Sequence, residues 1–564
     1  MAQQEDYNVA KVIVQSIYNA GVRIVFGIPG AKIDAVFDTL SDHSEIKLIV
    51  CRHEQNAAFM AAAHGRLLGI PGVCVATSGP GASNLATGLV TATTEGDPVV
   101  AIIGSVPRAM NTHRTHQSMK ALDILAPCSK DANNIDVEDQ AAEIILTAFR
   151  KANTFPKGAS VISLPMDVAK GKTKFPAFES RAYMPSRLGP GNPEACANVI
   201  QMIESAKMPV LFLGSRASSP MVVEAVRKLL TKFPFPTVET FQAAGAVSEE
   251  LVHLFYGRVG LFRNQAGDKL LTASDLVIAV GYDPVEYDAF TWNPNGSRRI
   301  VHIDYETSDY GVYYHPVAEL LGSVTENINH LARSLSSIAH DHKSSFLKEL
   351  ANEYYSWQSL PTAQRYDAGT PIHPLTFVTA LQQRISKDTQ VCVDVGTVYI
   401  YMMRYFFVYR PRSLLCSDGQ QTLGVGLPFA IAASLTQDPP CSKKVISISG
   451  DGGFMFSSQE MSTAVQQKCN ITHFIWNDGG YNMVEFQEEM KYGRTSGVRL
   501  GGVDFAKFAE SFGARGYRVD DSDKLVAVMD EALAFEGVSL VDIRIDYSEV
   551  ASLAGNVLKE DAWN

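Results

Sequence analysis

Two acidic, glycine-rich runs in the last third of the chain carry the residue types for phosphate and metal chemistry. Gly450-Asp451-Gly452-Gly453 follows the apolar run Lys444 to Ser449; Asp478, in Trp476-Asn477-Asp478-Gly479-Gly480, comes 27 residues after Asp451, behind the apolar run Thr472 to Trp476. Glycine lets backbone N–H groups approach a phosphate, and a carboxylate is a hard ligand that shares a divalent cation with phosphate oxygens. Either Asp-Gly pair alone reads as an ordinary turn. At the ends of consecutive strands, where open α/β sheets bind ligands, the two together read as one ion site.

Two further runs lie near the start. In Arg52-His53-Glu54-Gln55-Asn56-Ala57-Ala58, behind the apolar run Ile46 to Val50, Glu54 sits at a strand-to-helix junction. Alone it reads as a first-turn acid favoured by the helix dipole, and His53 as a packing residue. Thr77-Ser78-Gly79-Pro80-Gly81 follows Val73 to Ala76, but Asn84 stands where a dinucleotide fingerprint needs its third glycine. An NAD oxidoreductase is therefore a poor reading.

The elements that must position these residues alternate between short apolar runs and helical lengths. Val9, Val12, Ile13 and Ile17 predict a helix stopped by Gly21, and Val22 to Phe26 a strand. Glu45 to Val50, Val73 to Ala76 and Val99 to Ile103 continue the pattern; Val210 to Leu213, Leu276 to Val280 and Ile300 to Ile303 form a second group. Gln390 to Asp394, Lys444 to Ser449, Thr472 to Trp476 and Ser539 to Ile545 form a third. This predicts an α/β fold of three doubly wound parallel-sheet domains, spanning 1–175, 190–340 and 365–550. A linker is expected at 171–193 and a polar boundary at 338–372; the outer domains share only a coarse layout.

The length of 564 residues suits three such units. With 46% hydrophobic and 19% charged residues, the chain is neither disordered nor poor in core material. A net charge of −11 without like-charge blocks argues against nucleic acid and membrane partners. Eight dispersed cysteines read as reduced thiols. The run Tyr399 to Tyr409, broken by Arg404, is too short to span a bilayer. No leader is expected, and the expected location is the cytoplasm.

Gly-Asp-Gly followed 27 residues later by Asp or Asn resembles the magnesium-diphosphate motif of the thiamine diphosphate-dependent enzymes. The resemblance extends along almost the whole chain and implies that fold. It implies Mg2+ held by Asp451, Asp478 and the Gly480 carbonyl, with Asn477 as the alternative ligand. Glu54 would hydrogen-bond the cofactor's aminopyrimidine, shifting the ring to an imino tautomer that deprotonates the thiazolium carbon. Leu423 would wedge between the two rings. Gly79, Gly396, Thr397, Gln420, Gln421, Gly452, Gly453, Tyr481 and Asn482 would also contact the cofactor.

Within this family the chain resembles the catabolic, FAD-independent acetolactate synthases, through Gly27 to Asp34, Arg52 to Ala63, Glu95 to Val100, His116 to Met119, Gly257 to Asp268, Pro284 to Tyr287, Gly419 to Thr422 and Tyr481 to Val484. That subgroup joins two pyruvates, as donor and acceptor, into 2-acetolactate and CO2 through a hydroxyethyl-thiamine diphosphate intermediate, in a product route toward acetoin. Gln117 and Gln487 would lie near the reacting ketone and acceptor, and Lys32 would pair with a pyruvate carboxylate. Gly281 to Tyr287 replaces the Arg-Phe-Asp-Asp-Arg motif of FAD-binding relatives, so FAD is not expected. Gln487 replaces the tryptophan that favours 2-ketobutyrate. His113 and His116 are not the adjacent pair of the decarboxylases. The family builds each site from two subunits, so a homodimer is the minimum and a homotetramer is expected. Another thiamine diphosphate-dependent 2-keto-acid decarboxylase or oxidase remains open, as does a catalytically silent regulatory subunit.

Overall fold

The first helix shows how local rules set the elements. Asn8 caps helix Val9–Asn19 by accepting from the Lys11 N–H at 3.2 Å; Val9, Val12, Ile13 and Ile17 are buried, and Gly21 leaves the helix at φ +90°. The computed structural model describes residues 6–261, 265–338, 344–356 and 371–550. The part of the Gly257 to Asp268 run at 262–264, and most of the expected boundary at 338–372, lie outside the described residues.

Three six-stranded sheets, each wholly parallel and flanked by helices, organise the described chain. Their central strands are almost continuously apolar, as burial on both faces requires. The first sheet runs Lys47–Val50, Ile24–Gly27, Gly72–Ala76, Val99–Ser105, Ala159–Pro165, Asp131–Asn134. The third runs Leu414–Leu415, Gln390–Val393, Val445–Gly450, Ile471–Asn477, Val538–Arg544, Arg515–Val519. Numbered within each unit, both have the order 2-1-3-4-6-5. The outer domains thus share their whole strand order, more than the coarse layout expected from sequence. The middle sheet, Phe255–Val259, Thr237–Thr240, Pro209–Leu213, Leu276–Val280, Ile300–Asp304, Ala318–Leu321, has the order 3-2-1-4-5-6.

Several strands start or stop one or two residues from their expected bounds. Ile24–Gly27 replaces Val22 to Phe26, because Val22 still closes the preceding turn by bonding the Ile17 carbonyl at 3.2 Å. The segment expected as a linker is partly built into the first domain. Its Lys172–Thr173 pairs antiparallel with Tyr7–Asn8, and Tyr183 packs edge-on against Phe149.

A shared core joins the first and third domains. The alanine-rich helix Glu54–Leu68 lies against Gly426–Leu435, a helix buried on every side, in one apolar cluster. The run Tyr399 to Tyr409 lies largely in helix Thr397–Tyr405, where Arg404 is buried and donates to the Leu261 carbonyl at 2.8 Å. Among the described residues no helix is long and apolar enough to cross a membrane, and all eight cysteines are free.

Candidate active site

In the third sheet the strand order reverses between Gln390–Val393 and Val445–Gly450, which opens a crevice at their carboxyl ends. Gly450 stands in register with Trp476, so the chain turns into Asp451 and Asp478 at neighbouring strand ends. Both aspartates line a cavity of about 200 Å³. Gly450, Gly452, Gly453 and Gly480 form part of its wall. A Cβ on Gly452 would lie 2.6 Å from the Tyr481 ring, so any side chain there would have to displace that ring. A larger surface hollow between Pro220 and Pro411 has no comparable set of acids and glycines.

Two helix N-termini converge on the same cavity. Gly396, at φ +136°, opens helix Thr397–Tyr405, and Tyr481 precedes helix Asn482–Tyr492. Thr397 Oγ1 donates to Asn482 Oδ1 at 2.8 Å and ties the two together. Unpaired N–H groups and helix dipoles at these ends favour an anion. Gln421 and Leu423 line the cavity beside the apolar Leu261, Val395, Ile400, Met483 and Val484.

The carboxylates are held in an unfavourable state for charge. Asp451 is buried, its Oδ1 has no hydrogen-bond partner, and burial reinforced by the Asp478 charge pushes its carboxyl up to about 7. Burial, opposed by a hydrogen bond with Asn482 and reinforced by Glu485, raises Asp478 to about 6. An orphaned carboxylate oxygen beside a second raised acid fits a divalent cation, which would relieve both. Among the described residues no group of three or more His, Cys, Asp or Glu forms a metal cluster. The cation would therefore draw its remaining ligands, about six oxygens in all, from backbone and diphosphate. Asn477 is turned elsewhere: its Nδ2 donates to Asp542 Oδ1 at 2.9 Å and its Oδ1 accepts from Gly479 N at 3.2 Å.

Glu54, Gly79, Gln117 and Lys32 are not in this cavity wall. The first three gather at the carboxyl edge of the first sheet. Glu54 opens helix Glu54–Leu68, is buried, and accepts from Asn84 Nδ2 at 2.9 Å. A Cβ on Gly81 would lie 3.3 Å from Glu54 Oε1. Gly79 takes φ +62° and packs against Gln117, itself at φ +61°. Lys32 follows Gly30 in the loop after Ile24–Gly27, with its carbonyl beside Gly104. Gln487 lies one helical turn beyond Met483, outside the cavity wall. Gln420 also lies outside; it is exposed and donates to Thr94 Oγ1 at 2.9 Å.

Asp394 was not among the site residues expected from sequence. Fully buried and raised to about 6 by burial, it accepts from Val395 N, Gly424 N and Gly426 N, so one carboxylate joins the Gly396 turn to the loop bearing Leu423. Its position at the end of an apolar strand, before Val-Gly-Thr, was the available sign.

The middle domain has a reversal too, between Pro209–Leu213 and Leu276–Val280, but its own residues fill the crevice. Arg216 donates to both Asp304 oxygens at 2.8–3.1 Å, to Asp283 Oδ2 at 2.6 Å and to the Tyr282 carbonyl at 2.8 Å. Glu286, raised to about 7 by burial, accepts from Ser215 N and Thr240 Oγ1.

Three doubly wound domains, with an open crevice of two aspartates and helix N-termini in the third and a buried acid at a helix start in the first, fit a diphosphate-cofactor enzyme. Family models agree domain by domain: thiamine pyrophosphate enzyme N-terminal TPP binding domain over residues 7–126, central domain over 196–331 and C-terminal TPP binding domain over 394–543. The chain belongs to the thiamine pyrophosphate enzyme family. It is 44% identical over 98% of its length to acetolactate synthase of Bacillus subtilis (strain 168), covering 95% of that protein. It is 42% identical to the catabolic acetolactate synthase of Raoultella terrigena, with 97% of each chain covered. To the acetolactate synthase isozyme 1 large subunit of Escherichia coli (strain K12) it is 28% identical, covering 96% of this chain and 94% of that one.

Proposed function

We propose that this protein is a thiamine diphosphate-dependent acetolactate synthase that condenses two pyruvates to 2-acetolactate and CO2. The observation that carries the reading is the open third-domain crevice, with Asp451 Oδ1 unsatisfied beside Asp478, in a chain 44% identical along 98% of its length to an acetolactate synthase. When bound, the cofactor supplies a thiazolium ring that accepts the electrons freed by loss of CO2. Asp451, Asp478 and the Gly480 carbonyl hold Mg2+. The N–H groups opening helices Thr397–Tyr405 and Asn482–Tyr492 hold the diphosphate. Leu423 would pack against the bound cofactor as the wedge between its rings, while Ile400 and Met483 would add apolar wall that limits water in the cavity. Glu54 holds a proton at the pyrimidine ring nitrogen. Gln117 and Gln487 orient the donor ketone and the acceptor, and Lys32 pairs with a carboxylate.

One chain carries two half-sites, Glu54 with Gly79 and Gln117 on the first domain and the aspartate cavity on the third. The site is completed by a second copy, in a homodimer that pairs into a homotetramer. The domains divide near 1–175, 190–340 and 365–550. Arg216 at the middle crevice is paired internally with Asp304 and Asp283 rather than left for a dinucleotide phosphate, which supports independence from FAD. The enzyme is cytoplasmic. Incubation with pyruvate, thiamine diphosphate and Mg2+, with and without FAD, tests the reading. The expected product is acetolactate in equal yield under both conditions; acetaldehyde, acetyl phosphate or an FAD requirement contradicts it.

A further inference from the structure

Two buried glutamates are exchanged between the first and third domains of the same chain. Glu95, from the first domain, reaches the third-domain loop that ends in Leu423. Its Oε1 accepts from Ser417 Oγ at 2.7 Å, Gly419 N at 3.1 Å and Gln420 N at 3.3 Å; its Oε2 accepts from Asp418 N at 3.2 Å and from the Gln242 amide of the middle domain. Arg66 Nη2 stands 3.9 Å away, already engaged with Asp97. Glu460, from the third domain, makes the opposite reach. Its Oε1 accepts from Arg52 N at 2.9 Å, His53 N at 3.1 Å and Asn56 Nδ2 at 3.1 Å, at the start of the helix opened by Glu54. Its Oε2 accepts from Thr463 Oγ1 at 2.6 Å.

Each carboxylate therefore fixes backbone next to one half-site. The loop held by Glu95 is also held at Gly424 and Gly426 by Asp394, and the cavity residues Gln421 and Leu423 lie between the two anchors. The N–H groups held by Glu460 immediately precede Glu54. Neither glutamate lines the cavity. We infer that Glu95 and Glu460 are reciprocal positioning residues: Glu95 sets the cofactor-binding loop of the third domain, and Glu460 sets the orientation of Glu54 in the first. This rests on the functional reading above and adds to it a coupling between the two half-sites of one chain.

The geometry assigns the two residues different kinetic signatures. In Glu95→Gln an amide N–H₂ faces donors from Asp418 N or Ser417 and the loop loosens, so binding suffers. In Glu460→Gln the cofactor pocket keeps its shape while Glu54 loses its set orientation, so turnover suffers. Hydrogen bonds to a charged group are strong enough for about a 10-fold effect in each case.

The experiment measures the thiamine diphosphate Kd, kcat at saturating cofactor and the apo-protein melting temperature for the wild type, Glu95→Gln and Glu460→Gln. Ser417→Ala and Thr463→Ala, which each remove one donor, serve as milder versions should a glutamine variant fail to fold. The expected result is a Kd raised about 10-fold with kcat nearly kept for Glu95→Gln, and kcat lowered about 10-fold with Kd nearly kept for Glu460→Gln. The alanine variants should shift in the same two directions. Equal changes in both parameters, changes that merely follow melting temperature, or no change overturn the inference. A wild type that binds no thiamine diphosphate overturns instead the functional reading beneath it.

Discussion

The middle and third domains present the same kind of crevice, at a point where a parallel sheet reverses its strand order, and they treat it in opposite ways. In the third, a buried acid is left short of a partner: Asp451 Oδ1 has none, and glycines clear the floor. In the middle, Arg216 occupies the crevice and finds partners in Asp304, Asp283 and the Tyr282 carbonyl. Topology supplies a place for a ligand, and local charge balance decides whether one is needed. An unsatisfied buried carboxylate costs stability that a cation can return, whereas a satisfied ion cluster gains nothing from a guest.

Removing the unsatisfied acid should separate the two crevices most. Asp451→Asn is expected to weaken Mg2+ and thiamine diphosphate binding by more than about 100-fold, beyond the effect of outer-shell changes at metal sites. Calorimetric titration checks this; unchanged binding would remove the third crevice from the account. The next effect follows from protonation. With Asp451 raised to about 7 and Asp478 to about 6, both bind protons as pH falls, so apparent Mg2+ affinity should drop between pH 8 and pH 6, approaching about 10-fold per unit. In the apo-protein the same raised acids stabilise the fold below their ordinary range and lose that contribution as pH rises through about 6 to 7. Melting curves at pH 6 and 8, with and without Mg2+ and cofactor, should show the apo loss and its recovery on loading.

Gly452→Ala tests shape alone. The new Cβ, 2.6 Å from the Tyr481 ring, should push that ring and weaken cofactor binding several-fold, read by the same titration. Arg216→Ala should do least to the site. It leaves buried Asp304 without its guanidinium and should lower stability by about 3 kcal/mol in urea unfolding, while thiamine diphosphate affinity stays at the wild-type value. A change in that affinity would tie the middle crevice to the active site and break the contrast.

The acids of the open crevice were legible in the sequence because they follow apolar runs directly: Asp451 and Asp478 stand just past neighbouring strand ends and line one cavity. The apolar central strands were legible for the same reason. Leu414–Leu415 was not, being two residues long, nor was the half-exposed edge strand Arg515–Val519, whose pattern does not stand out. The direction of Asn477 depends on Asp542, which lies 65 residues away. Glu95 and Glu460 each accept from backbone N–H groups more than 300 residues away, and no local pattern records such a contact. The likeness of the outer sheets was hidden similarly, since strand order is a property of pairing rather than of any single strand.

In the proposed homodimer Glu54 of one chain and Asp451 of another serve one active site. Glu54→Gln and Asp451→Asn chains, co-expressed with different tags and purified as mixed dimers, test it most directly by acetolactate formation. Each parent homodimer should be inactive, and the mixed dimer, with one intact and one doubly altered site, should recover about half the wild-type activity. A mixed dimer as inactive as its parents would place the whole site within one chain and contradict the account.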